Sequence, residues 1–151
     1  MPKPPVKIPV IIDTREQRPW EFNSSEFVTD RGTLRTGDVS VKGLEDVIAC
    51  ERKSLGDFVS TVIHDWRRFR AELIRMSGFD HAVVVVEANL LDVLERRYEG
   101  DAAPAAVLGR ANAIMIDHNI PVCWWGPRDG CVTMVERWLL QTVKKCGGVP
   151  E

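Results

Sequence analysis

The residues of this chain that could carry out phosphodiester chemistry are concentrated in positions 37–57. Alternating apolar residues there predict a short strand over Val39–Lys42, a turn, and a second strand over Val47–Lys53. Residues two apart in a strand share a face, so Glu51 and Lys53 project to the same side. The segment therefore presents a carboxylate and an ammonium group together at the end of a strand.

If these two strands pair, Asp38 comes alongside Glu51, whereas Arg52 points to the opposite face. Carboxylate oxygens bind Mg²⁺ or Mn²⁺, the metal activates a water, and a lysine stabilises the charge of the transition state. An E-x-K pattern alone is typical of a solvated strand face. The apolar run Val47–Cys50, however, predicts a buried strand, and charges at its end are costly unless they are used. This context favours a metal site.

These residues also resemble a known family. Gly37-Asp38, then Glu51-Arg52-Lys53, then Asp57 resemble the GD…ERKxxxD signature of the XPF/Hef-type structure-specific DNA endonucleases. Upstream, the sequence IDTRE at Ile12–Glu16 is similar to that family's (V/I)DxRE segment. The resemblance runs from Pro9 to the last helix. It implies an α/β fold of the restriction-endonuclease-like kind, in which helices flank a mixed β-sheet in a single domain.

The resemblance places the metal ligands on Asp38 and Glu51, with Asp13 as a further carboxylate close to Mg²⁺ or Mn²⁺. Lys53 would act on the phosphate or orient the attacking water. The whole implied catalytic set is Asp13, Arg15, Glu16, Asp38, Glu51, Arg52, Lys53 and Asp57.

The remaining members of that set have supporting roles. Arg15 and Arg52 would contact phosphate or hold the carboxylates in place, and Glu16 and Asp57 would be supporting acids. Asp57 also lies three residues after Ser54, a plausible helix N-cap, so it equally fits an acid that favours the start of a helix.

The predicted helix Asp65–Ser77, which comes soon after the strand Val47–Lys53, carries four arginines: Arg67, Arg68, Arg70 and Arg75. Any one of them is more typical of a solvated helix surface, but together they are the best candidates in the chain for phosphate contacts. Arg75 belongs to the same helix, and the predicted DNA-binding set is Arg35, Arg67, Arg68 and Arg70. The net charge of −2, from 20 basic and 22 acidic residues, argues against non-specific nucleic-acid binding over the whole surface.

The rest of the chain predicts elements that could position these residues. A long loop or irregular hairpin is predicted near the site, over Thr14–Thr33. The predicted strands are Ile8–Asp13, His81–Glu87 and Pro121–Trp125, and the predicted helices are Leu55–His64, Asp65–Ser77, Leu90–Tyr98, Ala105–His118 and Val132–Lys145. The predicted organisation is a flexible proline-rich lead over 1–7, a nuclease domain over 8–146 and a tail over 147–151.

Several function classes are not supported. Because no apolar run approaches membrane-spanning length and the N-terminus lacks a signal-peptide region, we expect a cytoplasmic protein of a bacterial cell or viral host. The glycines form no nucleotide-binding motif, so no nucleotide cofactor is expected. The cysteines lack a C-x-x-C pair, which indicates reduced thiols rather than zinc ligands. The three histidines have no metal-ligand spacing and are interpreted as structural.

The expected partner is DNA, with a branched structure or a single-strand/duplex junction as substrate in repair or recombination. The resemblance implies a homodimer formed through the C-terminal helices, and we expect the closing helix and Trp124-Trp125 to form this contact. A place in the core is the alternative for Trp124-Trp125. Because the chain ends directly after the predicted last helix, a stand-alone nuclease domain is expected. Two alternatives stay open: a catalytically silent DNA-binding or scaffolding subunit of the same fold, and a same-fold nuclease with another nucleic-acid substrate.

Overall fold

The computed structural model describes residues 6–151, so most of the predicted N-terminal lead lies outside the described residues. Apart from the strand β2, strands and helices follow one another as the sequence predicts, around one sheet. The elements are β1 (Ile8–Asp13), β2 (Phe27–Gly32), β3 (Val39–Val41), β4 (Ile48–Ser54), α1 (Leu55–His64), α2 (Trp66–Met76), β5 (His81–Glu87), α3 (Leu90–Leu94), α4 (Pro104–His118), β6 (Val122–Trp124) and α5 (Arg128–Lys145).

The strands form a mixed six-stranded sheet in the order β2-β1-β3-β4-β5-β6. β1 pairs with β3 and β3 with β4 in antiparallel fashion, whereas β1–β2, β4–β5 and β5–β6 are parallel. The crossovers after β4 and β5 run through helices, as is usual for parallel connections, whereas β1 and β2 are joined by a loop. The predicted α/β architecture with a mixed sheet is therefore confirmed.

Helices cover both faces of the sheet, which gives the domain two apolar cores. On one face α5 packs Val135 and Leu139 against the β1, β3 and β4 side chains. On the other, α1, α2 and α4 enclose Val84 and Val86 of β5. Val83 and Val85, which alternate with these two, point into the first core. Burial on both faces is the reason why β5 reads as a continuous β-branched run.

Trp124 and Trp125 pack into these cores rather than forming one exposed patch. Trp125 lies against the first core, and Trp124 lies against the second, with its ring 5.4 Å edge-to-face from Phe58. Both side chains are half-buried, so each packs against a core and keeps part of its ring accessible. The tail after α5 is also anchored, because Val149 packs onto the first core.

The prediction for Thr14–Thr33 was wrong in part. It contains the strand β2, whose partner in the sheet is β1, so the segment is neither loop throughout nor a hairpin paired with itself. Residues 14–26, which connect the two strands, are called the β1–β2 loop below. Aromatic contacts order this loop: the ring centroids of Trp20 and Phe22 are 6.4 Å apart, and those of Phe22 and Phe27 are 5.6 Å apart.

Two helices differ from the predicted bounds by more than one residue at an end. α3 ends at Leu94 instead of Tyr98, because Arg96 adopts the left-handed conformation (φ 55°) and reverses the chain. α5 begins at Arg128, inside the predicted loop 126–130. A Cβ at Gly130 would lie 2.6 Å from the Trp125 carbonyl oxygen, so this glycine allows α5 to begin close to the preceding strand. Among the helices of residues 6–151, none has the length and apolarity needed to span a membrane.

Candidate active site

Three acidic residues come together where β1, β3 and β4 lie side by side. Asp13 ends β1, Asp38 directly precedes β3, and Glu51 lies in β4. The pairing of Val39 with Cys50 places Asp38 beside Glu51, as predicted. The Asp13 N–H donates to the Asp38 carbonyl (2.9 Å), and the Asp38 N–H donates to the Cys50 carbonyl (2.8 Å). All three acids line one cavity of about 530 Å³.

Gly37 makes this close approach of β3 and β4 possible. Its φ is +82°, and a Cβ would stand 3.3 Å from the Cys50 carbonyl oxygen, the acceptor of the Asp38 N–H. A side chain at this position would meet backbone on the neighbouring strand and a strained conformation at once. The Gly-Asp pair therefore works as a unit, in which the glycine sets where the carboxylate stands.

The site contains a row of four carboxyl groups in contact. Glu51, only 3% exposed, touches Asp38 on one side and Glu72 of α2 on the other, and Glu16 touches Asp38. Burial raises the pKa of Glu51 well above its usual value, and the Asp38 and Glu72 carboxyls raise it further. Burial and the Asp38 charge also raise the pKa of Glu16, more than Arg52 lowers it. The row therefore needs either protons or a cation.

Asp13 differs from these acids because its charge is already compensated. Its Oδ2 accepts from the Arg15 Nε at 2.6 Å and from the Arg15 backbone N–H at 3.3 Å, and its Oδ1 accepts from the Leu34 N–H at 2.9 Å. Burial alone would raise the pKa of Asp13, but these hydrogen bonds together lower it. Most of its lone pairs are occupied.

Cationic side chains flank the acids. Lys53 lines the cavity, with its Nζ 5.3 Å from the ring centroid of the buried Phe69 on α2, a cation–π contact. Arg15 remains 75% exposed at the cavity despite its ion pair with Asp13 and the hydrogen bond from its Nη2 to the Leu34 carbonyl (3.3 Å). Arg35 and Arg75 complete the basic rim.

Arg52 lines the cavity, but its side chain turns to the face of β4 opposite Glu51, as the strand alternation predicts. Its guanidinium binds Glu87 (Nε–Oε1 2.6 Å) and Glu16 (Nη1–Oε2 3.2 Å), and its backbone N–H donates to Asp38 (2.8 Å). Of the two predicted roles, holding the carboxylates in place is the one that these contacts fit.

Asp57 and one of the four predicted DNA-binding arginines line the cavity, and the other three arginines lie outside it. Ser54 caps α1 by accepting from the Asp57 N–H at 3.2 Å, and the exposed Asp57 side chain lines the cavity. Within residues 6–151 its carboxylate forms no ion pair with Lys53 or Arg52. Of the predicted set, only Arg35 lines this cavity, whereas Arg67, Arg68 and Arg70 are exposed on α2 outside it.

Sequence reasoning missed Glu72. It lies in α2, between the buried Phe69 and Met76, and it lines the cavity together with Arg75 of the same helix. One signal was available in the sequence: Glu72 is the only acid in a helix with four arginines. Nothing in that pattern shows which face of the helix meets Glu51.

The donor set fits a hard divalent cation. Within the described residues, no three or more His, Cys, Asp or Glu side chains already form a cage for a metal ion. Mg²⁺ in phosphate chemistry keeps several waters and is held through one or two carboxylates plus substrate phosphates, so a full cage is not required. Asp38 and Glu51 could supply two such carboxylates, and a cation would relieve the repulsion along the row.

Comparisons with known proteins agree with this geometry. The family model described as the ERCC4 domain matches residues 12–135. Among solved structures, XPF from Aeropyrum pernix matches with a TM-score of 0.72 and 22% identity over 95% of this chain and 65% of that one. XPF from Aeropyrum pernix in complex with DNA matches with a TM-score of 0.72 and 23% identity, over 92% and 66%. The chain thus spans slightly less than two thirds of each. No curated protein matches the sequence significantly.

Proposed function

The chain belongs to the ERCC4 domain family and has the restriction-endonuclease-like fold of an XPF-type nuclease domain, and on this premise we propose that it is a metal-dependent DNA endonuclease. The observation that carries the proposal is the row of carboxyl groups beside Lys53 in one open cavity. A 3% exposed carboxylate between two others is costly in a protein that does not bind a cation there.

Each residue has a role in this proposal. Asp38 and Glu51 would hold Mg²⁺ or Mn²⁺, and Asp13 is the weaker third candidate because its oxygens are already engaged. When bound, the cation would neutralise phosphate charge and activate a water. Lys53 would bind a non-bridging phosphate oxygen or orient the water, and Arg15 would bind an adjacent phosphate.

The substrate and context rest on the family resemblance. We propose branched DNA or a single-strand/duplex junction as the substrate, in repair or recombination, with a cytoplasmic location and a homodimer formed through the C-terminal helices. The Aeropyrum pernix protein was solved in complex with DNA, which supports DNA as the polymer.

The test is cleavage of labelled single-strand, duplex, flap, splayed-arm and four-way-junction DNA with Mg²⁺ or Mn²⁺. Asp38→Asn should abolish cleavage. Lys53→Ala should reduce kcat by about 10²- to 10³-fold, because a donor aimed at developing charge is lost. Lys42→Ala, which removes an exposed lysine outside the cavity, is the matched control and should cleave normally.

Full cleavage by either site variant, with an unchanged circular dichroism spectrum, would contradict the assignment of these residues. If the wild type binds Mn²⁺ but cuts none of the DNAs, the result favours the alternative of a catalytically silent DNA-binding or scaffolding subunit.

A further inference from the structure

The face of β4 opposite the carboxylate row carries a second set of contacts. We propose that Glu87 and Trp20 are positioning residues for the site, which fix the Arg52 side chain and through it the β1–β2 loop and the Asp38 carboxylate. This inference deepens the proposed nuclease function and assigns a role to two residues outside the GD…ERKxxxD pattern.

The Arg52 side chain is held on several sides and is only 11% exposed. Its Nε donates to Glu87 Oε1 at 2.6 Å, and its Nη1 donates to the Arg18 carbonyl at 2.7 Å and to Glu16 Oε2 at 3.2 Å. Its guanidinium carbon lies 4.5 Å from the ring centroid of Trp20. An arginine with these partners has a fixed rotamer and few donors left for a phosphate.

Glu87 holds this arrangement from the neighbouring strand. Arg52 pairs with Val85 on β5, so Glu87, two residues further on, shares its face. The same Oε1 that binds Arg52 also accepts from the Trp20 indole N–H at 2.6 Å, and Trp20 is only 2% exposed. Without the Glu87 carboxylate, a guanidinium and an indole N–H would both lack their acceptor in a buried place.

The contacts of Glu87 and Trp20 with Arg52 are linked through Arg52 to the face of β4 that carries the carboxylate row. The Arg52 backbone N–H donates to Asp38 Oδ2 at 2.8 Å, and its Nη1 holds Glu16, whose carboxyl touches Asp38. The Arg18 carbonyl in the β1–β2 loop is shared with Arg128 of α5 (Nη1–O 3.1 Å), so this loop is fastened between β4 and α5. Release of Arg52 would loosen the loop and remove a support of Asp38.

Two variants test this chain of contacts. Glu87→Gln keeps the size and removes the charge that pairs with Arg52, and Trp20→Phe keeps the ring over Arg52 but removes the N–H. Glu21→Gln, an exposed acid in the same loop, is the control. The measurements are hydrogen exchange of residues 14–26 by mass spectrometry, the affinity for Mn²⁺ without DNA by calorimetry, and kcat and KM for DNA cleavage.

For Glu87→Gln we expect exchange of the loop amides to accelerate about tenfold. Mn²⁺ affinity and kcat should fall by about 10- to 100-fold, as is typical for partners of metal ligands, with KM changed less than twofold. Trp20→Phe should show the same pattern more weakly, and the control none of it.

Unchanged loop exchange in both variants would overturn the proposal. Faster exchange of the loop amides together with wild-type Mn²⁺ affinity and kcat would also overturn the proposal, because Glu87 would then have a structural role only. The two hypotheses fail separately: a wild type that cuts no DNA refutes the nuclease, whereas loop exchange and Mn²⁺ affinity still decide the positioning role.

Discussion

The pH dependence of stability offers the sharpest test of the carboxylate row. Glu51 is 3% exposed and lies between the carboxyls of Asp38 and Glu72, so the metal-free folded protein favours its protonated form. We predict that Glu51→Gln, a neutral isostere that cannot ionise, stabilises the metal-free protein and that this gain grows with pH.

The sign follows from linkage. The folded pKa of Glu51 lies above the ordinary value of 4.5, so the folded state binds more protons than the unfolded state between these two values. Stability is therefore fully present below pH 4.5 and falls as the pH rises towards the folded pKa. One proton gives at most about 1.4 kcal/mol per pH unit, or on the order of 0.5–1.4 M in the urea midpoint.

The assay is urea unfolding from pH 5 to pH 8 in EDTA, for the wild type, Glu51→Gln and the exposed control Glu21→Gln. The pKa of Glu16 is also raised, but Glu16 is present in all three proteins. Asp13 has a lowered pKa, so its stabilisation is lost only as the pH falls below about 3.8, outside the range. The difference between the stability curves of the wild type and Glu51→Gln therefore isolates Glu51 and the groups coupled to it.

Mn²⁺ should then reverse the ranking. A cation at 100 times its Kd stabilises the form that binds it by about 2.7 kcal/mol, and Glu51→Gln should lose most of this gain. Parallel pH curves for the wild type and Glu51→Gln, or equal stabilisation of both by Mn²⁺, would refute the reasoning that this carboxylate is held against its neighbours for a cation.

Three further predictions follow from the same site. Gly37→Ala should lower the free energy of unfolding by about 1–3 kcal/mol, because the new Cβ combines a positive φ with contact against the Cys50 carbonyl. Gly56→Ala is the control and should not destabilise the protein, because a Cβ there meets nothing within 4 Å. Equal effects of the two variants in thermal melts would contradict this prediction. Glu72→Gln should raise metal-free stability and weaken Mn²⁺ binding about tenfold in calorimetry, and unchanged affinity would exclude Glu72 from the cation site. Arg75→Ala should weaken low-salt DNA binding in fluorescence anisotropy more than Arg70→Ala, because only Arg75 lines the cavity; the reverse order would place the DNA elsewhere on α2.

Sequence reasoning was most successful where one local pattern decides the structure. β1, β5 and α1 have the predicted bounds because apolar periodicity and the Ser54 cap are local signals. The contact of Asp38 with Glu51 was also predictable, since two neighbouring strands joined by a short turn leave little choice of register.

The β1–β2 loop shows why the rest could not be predicted. β2 has a single buried residue, Phe27, and four exposed ones after it, so no alternation marks it as a strand. It forms because parallel pairing with β1 satisfies its backbone. Glu72 and Glu87 were missed for a related reason: each reaches the site only through the packing of α2 or β5 against β4, a contact distant in sequence.

The Glu51-Arg52-Lys53 tripeptide can now be divided by strand geometry. Alternation sends Glu51 and Lys53 into the cavity and Arg52 to the opposite face, where Glu87 and Trp20 receive it. The middle residue lines the cavity as well, but its guanidinium is engaged on the opposite face. It connects the site to the scaffold, since its backbone N–H holds Asp38 while its guanidinium holds the β1–β2 loop. A lysine at position 52 would keep the charge but lose the fork that reaches Glu87 and Arg18 together, so Arg52→Lys should loosen the loop much as Glu87→Gln does.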